Sequence, residues 1–95
     1  MSTKKLSKIM LPGQMQKQVA QQEKTRRKRL GYTQAQLAER SGVSLGSLRR
    51  FEQTGDISFS GLVALAYALN CQSDLEQLFA APAYRSIQEV IDETR

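Results

Sequence analysis

The segment Leu45–Gln53, LGSLRRFEQ, sets Ser47, Arg49, Arg50 and Gln53 among Leu45, Gly46, Leu48 and Phe51, with one acid, Glu52. Their chemistry is recognition. An arginine grips a guanine edge or a phosphate through paired N–H groups, and a glutamine matches an adenine edge. Leu45 offers only a methyl contact, and Gly46 lets a backbone approach closely. The means for catalysis are missing, since the sequence has no histidine and one cysteine, Cys71. That leaves no imidazole base and no zinc ligand set, and an internal disulfide cannot form. We therefore expect no enzyme, no metal and no cofactor, with Cys71 serving as a small buried hydrophobe.

Two short helices must hold these groups. Gln34–Gln53 reads as one helix, a turn at Gly42, and a second helix over 45–54. Leu37, Ala38, Val43, Leu48 and Phe51 face inward in this reading. Thr33 with Gln36 makes a capping box for the first helix, and Ser44 caps the second. Gly42 suits the left-handed turn between them, and Gly55 closes the second helix. The pattern is a helix-turn-helix whose second helix fits a DNA major groove.

The remainder must support that pair. Residues 1–12, with Lys4, Lys5 and Lys8, read as a flexible basic arm that either tracks DNA or has no role. A helix is expected over Gln14–Leu30, with Met15, Val19 and Leu30 as its main apolar contacts. Its run Lys24–Arg29 wraps all the way round, because neighbours on a helix lie about 100° apart. Either one basic residue then turns inward, with Glu52 the obvious partner, or the whole run is solvated. Leu62, Leu65, Ala66 and Leu69 repeat as a core-facing helix capped by Ser58 or Ser60. Ser73 with Glu76 predicts a capping box for a short helix carrying Leu75, Leu78 and Phe79. A last helix, Ile87–Asp92, sets Ile87, Val90 and Ile91 on one side; it either folds back or meets a partner, as does Tyr84 before it. The fold class is all-α, a compact bundle of five to six helices, with a domain over 13–80 and an extension over 81–95.

Charge separates the two halves. Residues 1–50 carry twelve Lys and Arg against two acids, and residues 51–95 carry two against seven. A polyanion partner for the first half follows. Double-stranded DNA fits better than RNA, because no stacking aromatics lie within the basic surface. Nothing resembles a signal peptide or membrane span, so a soluble cytoplasmic protein without membrane contact is expected.

Residues 33–69, TQAQLAERSGVSLGSLRRFEQTGDISFSGLVALAYAL, closely resemble the Cro/CI-type helix-turn-helix family, also called XRE-like regulators. The match rests on Thr33-Gln34, Leu37-Ala38, Gly42-Val43-Ser44, Leu48, Phe51-Glu52 and Gly55 at the family's spacings. SGVSLGSLRRFEQTGDIS is more narrowly similar to HipB-type antitoxins, which pair with HipA-like kinase toxins. The resemblance implies that Gln34 bonds a DNA phosphate and buttresses the recognition helix, and that Thr33 and Ser44 hold phosphates. It places Leu45, Gly46, Arg49 and Arg50 at base-reading positions, with Ser47 touching base or backbone and Gln53 beside them. It also implies that Glu52 pairs with Arg27. The departure is Leu45-Gly46, where polar pairs are common; selectivity then falls to Arg49 and Arg50, while Asp56 disfavours a phosphate contact after the helix.

The expected function is a homodimeric repressor on a palindromic operator, because a single helix reads too few base pairs. Leu75, Leu78, Phe79, Tyr84, Ile87, Val90 and Ile91 are the expected dimer or partner contacts. The narrower resemblance makes it an antitoxin that restrains a HipA-like kinase and represses its own promoter. The alternative is a stand-alone XRE-type regulator.

Overall fold

The computed structural model describes residues 9–85 together with Ile91 and Asp92. Among them run five complete helices: α1 Pro12–Arg29, α2 Gln34–Ser41, α3 Leu45–Thr54, α4 Phe59–Ala68 and α5 Gln72–Glu76. No strand occurs among the described residues, and no helix is long and apolar enough to cross a membrane. Ile91 and Asp92 are helical; the rest of the predicted helix 87–92, with Ile87 and Val90, lies outside the described residues, as do Lys4, Lys5 and Lys8.

Local signals set most boundaries. Thr33 Oγ1 accepts the Gln36 N–H at 3.1 Å while Gln36 Oε1 accepts the Thr33 N–H at 2.9 Å, which closes the capping box of α2. Ser44 caps α3 by accepting the Ser47 N–H, and Ser58 rather than Ser60 caps α4 by accepting the Gly61 N–H. Gly42 turns the chain between α2 and α3 at φ 78°, a conformation costly to a residue with a Cβ.

Three expectations are corrected. Helix α1 starts at Pro12, not Gln14, because proline's fixed φ suits the first helical position and needs no N–H donor there. Its first turn is tied by the Leu11 N–H donating to Gln14 Oε1 at 2.9 Å. Met15 and Leu30 are exposed; the inward face of α1 is Ala20, Glu23 and Arg27, with Val19 partly buried. A small alanine admits close packing, and a polar cluster takes the place of apolar bulk. Ser73 does not cap α5, which begins at Gln72 after Cys71, with no side-chain cap. That shift leaves Leu78 and Phe79 in the turn beyond the helix, Phe79 at φ 58°.

The core is Ala20, Leu37, Leu48, Phe51, Leu65, Ala66 and Leu69. Val19, Tyr32, Ala38, Val43, Ile57, Leu62, Ala68 and Cys71 pack against its edge. Helix α1 lies on α3, α2 on both α3 and α4, and α5 on α4. Arg26 ties α1 to the end of α4: its Nε donates to Leu69 O at 2.8 Å and its Nη2 to Asn70 O at 3.1 Å. These carbonyls lie at a helix C-terminus, where no further turn supplies donors and a cation is favoured.

Candidate nucleic-acid interface

Helix α3 buries Leu48 and Phe51 and turns Gly46, Arg49, Arg50 and Gln53 outward. The spacing of its inward residues leaves the opposite side for solvent, since three- and four-residue steps share a face. A Cβ added to Gly46 would meet nothing within 4 Å, so this face is open. Arg49 and Gln53 are exposed there, while Leu45 is partly buried at the helix start. Ser44 and Ser47 are exposed, and the Ser44 hydroxyl donates to the Ser47 hydroxyl at 2.8 Å. Thr33 is exposed at the start of α2, its hydroxyl already engaged as a cap.

Arg50 differs from Arg49. Its Nη2 and Nε reach Asp56 Oδ2 at 3.0 and 3.2 Å, so the guanidinium leans toward the loop after α3. Both groups line a recess shared with Ser44, Ser47, Ser58 and Ser60. Sequence reasoning noted Asp56 but did not pair it with Arg50, six residues away and beyond the end of the helix.

Behind α3 lies a polar cluster that fixes it to α1. Arg27 turns inward and grips Glu52 with two bonds, Nε to Oε2 and Nη2 to Oε1, each 2.8 Å. Its Nη1 donates to Tyr32 O at 2.9 Å. The Gln34 amide donates to Glu52 Oε1 at 2.9 Å, so Gln34 buttresses this pair from the start of α2. The two charged side chains are only 7% and 2% exposed. Glu52 is pushed up by burial, but bonds from Arg27, Glu23 and Gln34 outweigh that and hold it below the usual carboxylate value. The same bond to Glu52 raises Arg27.

Glu23 was missed, although its four-residue spacing to Arg27 puts both on one side of α1. It is buried, and as a carboxylate neither oxygen finds a donor. Burial, the hydrogen bond with Glu52 and the charge of Glu52 push it from 4.5 to about 8, against the pull of Arg27 and Lys24. Protonated, it donates to Glu52. The folded chain thus keeps a proton that the unfolded chain releases above pH 4.5. Stability from this group is whole below that pH, falls as pH climbs toward 8, and levels off beyond. Glu52 acts oppositely: its contribution is present above the ordinary carboxylate pKa and is lost in acid. Glu23→Gln is therefore expected to raise stability by about 2–4 kcal/mol at pH 8 and to flatten its pH dependence between pH 5 and 8. Urea midpoints across that range measure it; an unchanged slope refutes the buried proton.

Among the described residues no group of His, Cys, Asp and Glu is placed to hold a metal. Burial raises the Cys71 thiol, which keeps it a packed group and not a thiolate. Leu75 is partly buried; Leu78, Tyr84 and Ile91 are exposed, and Phe79 is 101% exposed.

A family model described as helix-turn-helix matches residues 24–75. No curated protein and no solved structure matches the chain significantly.

Proposed function

Because this chain belongs to the helix-turn-helix family, of the Cro/CI type whose members are DNA-binding transcription regulators, we propose that α3 reads operator DNA from its outward face. The observation that carries this reading is the open strip of Gly46, Arg49 and Gln53 on a helix anchored from behind. Arg49 reads a guanine edge, Gln53 lies beside it, and Leu45 touches a thymine methyl. Thr33, Gln34, Ser44 and Ser47 sit where α2 and α3 begin, and helix starts attract phosphate. Gln34 keeps one amide hydrogen for a phosphate while the other holds Glu52.

The protein acts as a homodimer on a palindromic site, with its recognition helices one turn of DNA apart, roughly 34 Å. Exposed Leu78, Phe79, Tyr84 and Ile91, with Leu75, Ile87 and Val90, supply the contact between copies or with a partner. An apolar groove of about 870 Å³, lined by Val19, Leu30, Leu62, Leu75 and Leu78 among others, adjoins this face and favours burial there. The wording of residues 41–58 supports a narrower role, that of an antitoxin which restrains a HipA-like kinase and represses its own operon. Copurification of a kinase-like protein with the expressed operon supports that role; a solitary dimer leaves a stand-alone regulator.

Arg49→Ala tests base reading. Affinity for a duplex selected from a random pool is expected to fall about 10- to 100-fold, with a change of only about two- to threefold on random duplex. Equal losses on the two duplexes refute the role.

A further inference from the structure

We propose that Asp56 sets the sequence selectivity of α3 by withholding Arg50 from the bases, which leaves Arg49 as the arginine that reads them. The inference rests on the DNA-reading role of α3. Arg49 and Arg50 are neighbours on the outward side, and their sequence treats them alike. The structure separates them. Both inner donors of the Arg50 fork converge on one oxygen of Asp56, whereas Arg49 has no ion pair among the described residues.

Asp56 is held in place for this task. Thr54 Oγ1 donates to Arg50 O at 2.7 Å and accepts the Asp56 N–H at 3.1 Å. Gly55 between them lies against the backbone of Gln16 and Lys17, so the loop rests on α1. Arg50, Thr54 and Asp56 thus close a ring at the end of α3, with the carboxylate at its rim.

The pair is exposed, with side chains 68% and 59% accessible, so its own attraction is weak. Its force comes from what release would leave behind. A freed Asp56 carboxylate faces a phosphate backbone with no counter-charge, and that repulsion opposes any guanine contact Arg50 gains. The open space at Gly46, one turn before Arg50, shows that the withdrawal is not a steric necessity. An arginine without this restraint has room to reach along the strip.

Selection of duplexes from a random pool decides the matter, using wild type, Asp56→Asn, Arg50→Ala and the double variant. Wild type and Arg50→Ala are expected to enrich the same motif. Asp56→Asn is expected to gain about a tenfold guanine preference at one further position, the strength of one new bidentate contact. The double variant is expected to lose that gain. Unchanged thermal melts for all three variants keep folding out of the comparison. A position that wild type specifies and Arg50→Ala erases overturns the proposal, as does an Asp56→Asn motif identical to wild type. A gain that persists in the double variant also overturns it, because Asp56 would then act without Arg50. A wild type that enriches no motif sinks the DNA-reading role itself.

Discussion

Glu52→Ala is expected to lower stability by about 3–5 kcal/mol, a large share of what a domain of this size possesses. The change strands the Arg27 guanidinium, 7% exposed, with Tyr32 O as its remaining acceptor. It also leaves the Gln34 amide without its acceptor and cuts the tie between α1 and α3. In a chain this small the midpoint of thermal unfolding should drop by roughly 15–30 °C. Glu23 makes the outcome more specific. It lies on the same face as Arg27, whose charge opposes the upward push that burial and Glu52 exert on its carboxyl. Once Glu52 is gone, Glu23 is the carboxylate left to balance Arg27. Glu23→Gln is therefore expected to stabilise the wild type at pH 8 yet to destabilise the Glu52→Ala variant. Urea melts of the two single variants and the double complete the cycle. A Glu23→Gln effect of the same sign in both backgrounds refutes the shared cluster.

The second large effect is expected at Gly55. The residue sits at φ 82°, and an added Cβ would lie 2.8 Å from the Gln16 carbonyl carbon and 2.9 Å from the Lys17 nitrogen. Both are backbone atoms of α1, which cannot swing aside as a flexible side chain does. Gly55→Ala combines a left-handed conformation costing about 1–2 kcal/mol with overpacking costing about 1–3 kcal/mol. The sum, about 2–5 kcal/mol, approaches that of the buried ion pair. Gly42→Ala has a similar φ but open space, so it is expected to show only the conformational part. Melts that give the two variants equal losses would refute the close approach of α1. Loss at Gly55 also moves the end of α3, so DNA affinity should fall with stability there.

This contrast shows how far the sequence could be read. Glycine at 42 and 55 announced two turns, because a helix end that needs positive φ favours the residue without a Cβ. Thr33-Gln36 and Ser44 announced helix starts through bonds that span only three residues. Leu48 and Phe51, three apart, defined the inward side of α3 and so its outward side. Each of these signals acts within one or two helical turns. The reading failed where a local signal was weak or had a competitor. Ser73 and Glu76 have the spacing of a capping box, yet α5 begins one residue before Ser73. Met15 and Leu30 are apolar but exposed, since α1 reaches its neighbours through Ala20 and a polar cluster instead.

Alone, the sequence determined an all-α chain, the helix-turn-helix at Gln34–Gln53, and which side of its second helix faces outward. Periodicity and capping depend on near neighbours, and those are written in order along the chain. Apart from the Arg27–Glu52 pair, which the sequence had pointed to, only the tertiary structure decided what the long polar side chains do. It buries Glu23 beside Glu52, sends Arg26 to the carbonyls of Leu69 and Asn70, turns Gln34 back onto Glu52, and draws Arg50 to Asp56. Arginine, glutamate and glutamine have many rotamers of similar energy, so spacing alone does not choose among their partners. The choice falls to whichever groups the packed helices bring within about 3 Å.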